Sequence, residues 1–130
     1  MTRVLVLSYS SYGHVRACAG RGRRRAFHAR YPCRPAPCAL CLVPETVPDE
    51  VRHKAGFAPD DTPVATPAYL EADDAIIFGT PTLFGMMAGK MQSFLDQAGG
   101  GWARNALVDK FAAVFTSTGS QHGGHKAALL

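Results

Sequence analysis

Apolar residues along this chain come in two arrangements, short unbroken runs and one longer run at helical spacing. Residues 3–8 (RVLVLS), 74–79 (DAIIFG) and 111–116 (FAAVFT) are continuous or nearly continuous apolar runs without alternation. That pattern suits strands of a parallel sheet covered on both faces. Each run gives way to small polar residues: Ser10-Ser11, Thr80-Pro81-Thr82, and Ser117-Thr118-Gly119-Ser120. Between the second and third runs, Met87, Met91, Phe94, Leu95 and Ala98 recur at helical spacing. This predicts a crossover helix that stops at Gly99-Gly100-Gly101, with Trp102 in the loop beyond. Strands alternating with helices predict an α/β fold with a parallel sheet, right-handed crossovers and a ligand crevice at the carboxyl ends of the strands. Residues 43–67 carry Pro44, Pro48, Pro59, Pro63 and Pro67 and read as an ordered surface excursion before a short helix around residues 68–72.

Where the first helix and second strand belong, the pattern fails. Residues 16–41 (RACAGRGRRRAFHARYPCRPAPCALC) hold Arg, Ala, Cys, Pro and Gly at 22 of 26 positions, with no Val, Ile, Asp or Glu. No amphipathic stripe of useful length is visible, and Pro32, Pro35 and Pro37 argue against a central strand. The sequence therefore predicts neither element there. Out-of-frame reading of a GC-rich gene would produce this composition, and the stretch reads as such a segment.

Composition narrows the class. One domain spanning residues 1–130 is expected from 130 residues with 47% hydrophobic content. No apolar run approaches the roughly 20 residues of a membrane span, and residues 4–7 are too few for a signal sequence; the expected location is cytoplasmic. The net charge of +4 comes from one place. Residues 16–41 hold seven of the 14 basic residues and no acid, leaving seven basic residues against ten acidic ones elsewhere. Nucleic-acid binding is therefore not expected, since arginines alone give only salt-sensitive, unspecific affinity. Cys18, Cys33, Cys38 and Cys41 fall in the same stretch. The spacing Cys33-x4-Cys38-x2-Cys41 is that of a plant-type iron–sulfur loop, but no cysteine follows Cys41, and no metal is expected.

Ser, Thr and Gly after a strand ordinarily close turns and cap helices. Three such clusters at one edge of one sheet point instead to a ligand. Ser10, Ser11 and Tyr12 offer hydroxyls, Gly13 lets the backbone turn its N–H groups inward, and a helix beginning near His14 would add its own free N–H groups. The chain lacks G-x-x-x-x-G-K-[ST] and G-x-G-x-x-G, which disfavours a nucleoside-triphosphate loop and a dinucleotide fingerprint. A hydroxyl-rich cradle suits a phosphate monoester. Trp102 is either a packing anchor or a wall for an aromatic ligand.

The stretches VLVLSYSSYGHV, VPETVP, TPVAT, DDAIIFGTPT, FLDQAGGGWA and FTSTGSQHGG, in this order, closely resemble the WrbA family. These are flavodoxin-like, FMN-dependent NAD(P)H:quinone oxidoreductases. The resemblance implies a flavodoxin-like doubly wound parallel sheet, bound FMN, NADH or NADPH as electron donor, a quinone as substrate, and a homotetramer. It assigns Ser10, Ser11, Tyr12, Gly13, His14 and Val15 to the FMN phosphate, and Thr82, Leu83 and Phe84 to a second flavin loop. Ser117, Thr118, Gly119, Ser120, Gln121, His122 and Gly123 fall to a third. Tyr12 also matches a position facing the nicotinamide nucleotide, and Trp102 one facing the substrate. No side chain is assigned as a nucleophile or general base. Leu83 stands where the family usually has arginine. Family members continue past the third loop into a last strand and helix, so the fold is expected to be incomplete, with the strand at 111–116 an exposed apolar edge. The rival expectations are a non-catalytic remnant, a basic interaction module using residues 16–41, and a one-electron flavodoxin.

Overall fold

The computed structural model describes residues 2–28 and 38–129, with side chains over 2–21 and 38–128. Four parallel strands form the sheet in the order β2-β1-β3-β5. They are β1 (Val4–Ser8), β2 (Cys38–Leu42), β3 (Ala75–Leu83) and β5 (Phe111–Ser117). A two-residue strand β4 (Met86–Met87) folds back antiparallel on the end of β3. The topology is the doubly wound, flavodoxin-like one that the sequence predicts.

The central strands are apolar because both faces are covered. Leu5, Leu7 and Tyr9 project into one core with Cys41, Val43, Ile76, Met91 and Phe94. Met91 and Phe94 come from α4 (Gly89–Asp96), the expected crossover helix. On the opposite face, Val6 and Ser8 alternate with that set, and α1 (His14–His28) lays down the buried Val15 and Ala19.

Helix α1 and strand β2 correct two expectations. Ala and Arg are among the best helix formers, and the first proline after His14 is Pro32, beyond the helix. The buried stripe goes unnoticed because Val15 and Ala19, one turn apart, are small. Strand β2 begins at Cys38, after the last of the three prolines, and pairs with β1 from Val4↔Cys38 to Ser8↔Leu42. Pro32, Pro35, Pro37 and Cys33 lie outside the described residues. The out-of-frame reading of residues 16–41 concerns the gene and stays an expectation.

A third correction concerns the glycine run. Helix α4 ends at Asp96, and Gly99–Ala103 form a further short helix, α5, that includes Trp102. Gly101 is buried against α3 (Ala68–Ala72): a Cβ there would stand 2.8 Å from the Glu71 carboxylate. Gly101 serves close approach to α3, and the run continues as helix rather than ending one.

Helix α3 falls where the sequence placed it. Within the 43–67 excursion lies one unpredicted helix, α2 (Asp49–Lys54). Strand β5 lies at the outer edge of the sheet, with Phe111 through Val114 exposed. The last described element is α6 (His125–Leu129). Among the described residues, no helix is long and apolar enough to cross a membrane, and no group of three His, Cys, Asp or Glu side chains could hold a metal ion.

Candidate functional site

Strands β2 and β3 lie on either side of β1, so the chain switches direction at β1, and a crevice opens beyond the carboxyl ends of β1 and β3 there. Its first wall is the loop leaving β1. Tyr9 keeps one more bond to the sheet, its N–H donating to the Gly79 carbonyl at 2.9 Å. The loop then turns into α1 through Gly13, whose φ of +85° disfavours any residue with a side chain. The N–H of Ala17 donates to the Gly13 carbonyl at 2.9 Å, which makes the amides of His14, Val15 and Arg16 the first of the helix, without intrahelical acceptors. No acid occupies that first turn. A 15-residue helix thus directs its positive end at the crevice.

The second wall is the end of β3. The strand runs on past Gly79 because Thr80 and Pro81 pair with Thr116 and Ser117, while Thr82 and Leu83 pair with Met87 and Met86. Thr80 is buried and accepts the N–H of Ala88 at 3.1 Å, pinning the start of α4. The hairpin turns on Phe84 and Gly85, both at positive φ. The third wall, the end of β5, is tied to the second by the Thr116 hydroxyl, which donates to the Thr80 carbonyl at 2.7 Å. Gly124 seats the loop that follows: a Cβ there would lie 2.5 Å from the Gly85 Cα. Two glycine backbones pack directly on each other and fix the third loop against the hairpin.

These walls enclose a cavity of about 310 Å³, within the roughly 300–1,000 Å³ usual for small-molecule sites. Of the residues the sequence singled out, Ser10, Ser11, Tyr12, His14, Val15, Thr82, Leu83, Ser117, Thr118 and Gly119 line it. Pro81, which was not singled out, lines it as well. Gly13 shapes the loop without lining the cavity. Phe84 is fully exposed at the hairpin tip. Ser120, Gln121, His122 and Gly123 follow along the third loop beyond the cavity lining, with the Ser120 N–H donating to the Thr118 hydroxyl at 3.4 Å. Trp102 lies away from this crevice. It is 76% exposed and lines a larger, almost wholly apolar groove of about 440 Å³ with Leu70, Phe78, Leu95 and Phe111. That groove has no comparable set of hydrogen-bond donors and is set aside as the chemical site.

The excursion braces the first loop from behind. The N–H of Ala58 donates to the Ser11 carbonyl at 3.0 Å, and the rings of Tyr12 and Phe57 meet edge to face at 5.5 Å between centroids. Sequence reasoning missed Tyr9 and Glu45. The Tyr9 hydroxyl donates to Glu45 Oε2 at 2.9 Å and accepts from the Ser11 hydroxyl at 3.0 Å. Burial pushes the Tyr9 phenol above its ordinary range; the Ser11 hydrogen bond pulls it back in part, and Glu45 raises it further. The only signal in the sequence was a polar-tipped aromatic ending a buried strand.

The family model described as NADPH-dependent FMN reductase matches residues 39–129. The chain is 50% identical over 131 residues to NAD(P)H dehydrogenase (quinone) 3 of Rhizobium meliloti (strain 1021), covering 100% of this chain and 59% of that protein. It is 52% identical over 130 residues to NAD(P)H dehydrogenase (quinone) of Paracoccus denitrificans (strain Pd 1222), covering 99% and 60%. The chain thus spans about 60% of the length of these curated relatives. Among solved structures, a WrbA-like flavodoxin protein from Agrobacterium tumefaciens superposes with a TM-score of 0.70 at 25% identity, covering 99% of this chain and 68% of that one. An archaeal flavodoxin superposes with a TM-score of 0.58 at 15% identity, covering 99% and 77%, which shows the same fold. With the family model matched from β2 through the third loop, beyond β1 and over two of the three walls of the crevice, the chain belongs to the NADPH-dependent FMN reductase family.

Proposed function

We propose that the crevice binds FMN and that the protein serves the two-electron reduction of quinones by NADH or NADPH. The observation that carries this reading is the convergence of three hydroxyl-bearing strand ends on one cavity beneath the N-terminus of α1. The donor set fits a phosphate monoester. Ser10 and Tyr12 supply hydroxyls, and the amides of His14 to Arg16 add uncommitted N–H groups. Hydrogen bonds to a charged group contribute about 1.5–3 kcal/mol each, so the phosphate needs no lysine. Thr82 and Leu83 on one side and Ser117 to Gly119 on the other form a slot for a flat ring.

When bound there, FMN would supply the hydride and electron-pair chemistry, which the protein need not perform. The chain's own task is to hold the ring with one face open. Backbone amides at the ends of β3 and β5 are the donors available to negative charge developing in the slot. Exposed Tyr12 and Phe84 at the rim offer aromatic surface to a nicotinamide and a quinone arriving in turn. Neither substrate calls for a nucleophile or general base. Leu83 removes the charged contact expected from arginine there. The proposal includes the cytoplasmic setting expected from the apolar runs and the homotetramer that the WrbA resemblance implies.

The test is titration of the purified chain with FMN and with riboflavin, followed by oxidation of NADH in the presence of benzoquinone. Binding at one FMN per chain, with riboflavin at least tenfold weaker, and quinone-dependent NADH oxidation are expected. Equal affinity for both flavins would remove the phosphate assignment. FMN binding without quinone-dependent turnover would leave an electron carrier, and no binding of either flavin would leave a non-catalytic protein.

A further inference from the structure

The hydroxyl of Ser11 lies in the phosphate loop, yet its proton is already committed elsewhere. Tyr9 is 4% exposed and belongs to the same buried cluster as Leu7, Val43 and Met91, which restricts where its phenol oxygen can go. It donates to Glu45, and an ionised carboxylate can only accept. With its one proton spent, the phenol can only accept from Ser11, as the geometry at 3.0 Å records. Glu45 is itself held. Its Oε1 accepts the N–H groups of Thr46 at 2.9 Å and Val47 at 3.0 Å, and Lys90 Nζ stands 4.0 Å from the same oxygen. The chain of bonds therefore has one direction, from Ser11 to Tyr9 to Glu45, anchored on backbone amides.

We propose that Glu45, through Tyr9, is a positioning residue that turns the Ser11 hydroxyl proton away from the crevice. Ser11 then faces the ligand only as a hydrogen-bond acceptor. A dianionic phosphate needs donors, so the side chains of Ser10 and Tyr12 and the α1 amides carry that contact while Ser11 suits a ligand hydroxyl. This rests on the FMN reading for its ligand but not for its geometry.

A single isosteric change should reverse the direction. In Glu45→Gln, the amides of Thr46 and Val47 still require an oxygen, which leaves the carboxamide NH₂ facing Tyr9. The phenol accepts there and donates to Ser11, and the Ser11 proton is released toward the crevice. Ser11→Ala is then expected to weaken FMN binding at least tenfold more in the Glu45→Gln background than in the unmodified chain, the worth of one hydrogen bond to a charged group. Equal losses in both backgrounds would overturn the proposal and would mean that removing the Glu45 charge acts only through the general field.

The apo chain supplies a readout that needs no flavin. Ultraviolet titration of the tyrosines, with Tyr9→Phe subtracted to isolate Tyr9, is expected to show Tyr9 titrating lower in Glu45→Gln. In Ser11→Ala it should titrate higher, because a donated bond that stabilises the phenolate has gone. Either shift absent or reversed would overturn the relay. If the unmodified chain binds no FMN, the cofactor reading fails and the Ser11→Ala shift decides the relay, because loss of the Glu45 charge lowers Tyr9 with or without it.

Discussion

The Nε of Arg16 stands 3.1 Å from a carboxylate oxygen of Asp60, while its Nη1 donates to the neighbouring Pro59 carbonyl at 2.9 Å. One arginine of the basic stretch thus ties the first turn of α1 to the proline-rich excursion, just behind the phosphate loop. Asp60 does a second job, accepting the Thr62 N–H at 2.9 Å to close a local turn. The Arg16 side chain is 42% exposed, so Arg16→Ala is expected to cost only about 0.5–1 kcal/mol. Asp60→Ala removes the pair and the turn bond together and should cost about 1–2 kcal/mol. Asp60→Asn, which keeps an oxygen for Thr62, should fall between. Urea denaturation of the three variants checks the order, and an Asp60→Ala no worse than Arg16→Ala would show that the turn bond contributes nothing.

Gly79 sits beside Phe115 in the parallel register of β3 and β5, and an added Cβ would come within 2.2 Å of the ring. The Phe115 ring crosses the space that a side chain would fill. Gly79→Ala must therefore push the ring aside at the point where both strands reach the crevice. Overpacking of this kind costs about 1–3 kcal/mol, and FMN affinity should fall with it. The double variant Gly79→Ala with Phe115→Leu should recover part of the stability, measured by denaturation. No recovery would mean that the strain lies in the backbone.

The three apolar strands and the crossover helix could be read directly because their signal is burial itself, repeated at strand or helix period. Helix α1 could not, because the residues it buries among its described side chains, Val15 and Ala19, carry too little apolar surface to form a stripe, while its five arginines, good helix formers, read as charge rather than as helix. Helix α2 was legible in retrospect. Pro48 precedes Asp49 and Glu50, and Arg52, His53 and Lys54 close the helix, an order of charges that follows the helix dipole. The prolines around it drew attention instead. Of the crevice, the hydroxyl clusters were legible as residue types at strand ends. The Ser11–Tyr9–Glu45 relay was not, since it joins positions 36 residues apart whose proximity depends on the fold.

Tyr9 also gives the protein a pH dependence with a definite sign. Burial, and then Glu45, raise the phenol above its reference value of 10.0. The folded state therefore holds the proton where the unfolded chain has released it. Stability from this group is complete below pH 10 and is lost as pH rises from there through the folded value. Tyr9→Phe should be less stable at neutral pH, having lost the bonds to Glu45 and Ser11, but should lose less on going from pH 9 to 11. Denaturant midpoints across that interval check it, and parallel curves for the two proteins would contradict the assignment.

The cysteines separate by burial. Cys41 is 3% exposed on β2, and burial, with Asp73 nearby, raises its thiol above 9.0. Cys18 is exposed on α1. Since the thiolate is the reactive form, iodoacetamide at pH 8 should label Cys18 at least tenfold faster than Cys41 in the folded chain, with the difference vanishing in guanidinium. Peptide mapping reads both sites. Rapid labelling of Cys41 under native conditions would show that β2 detaches from the edge of the sheet.

The last prediction concerns Phe84, which combines full exposure with a φ of 52° in the two-residue turn between Leu83 and Met86. With Gly85 at φ 78°, both turn positions are left-handed, the geometry of a type I′ hairpin, in which asparagine is preferred at the first position. A left-handed conformation costs an ordinary residue about 1–2 kcal/mol, and asparagine relieves part of that. An exposed phenylalanine recovers nothing by burial here, so the conformational cost has no compensation within the protomer. Strain of this kind at the rim of a cleft points to a role for the side chain in ligand contact. Phe84→Asn is therefore expected to raise stability by about 0.5–1 kcal/mol while weakening FMN binding several-fold. Thermal melting of the apo chain and a flavin titration read the two effects separately. A variant that gains stability at unchanged affinity would free Phe84 from the flavin site, and one that loses stability would mean that the ring packs against a surface the isolated protomer does not show.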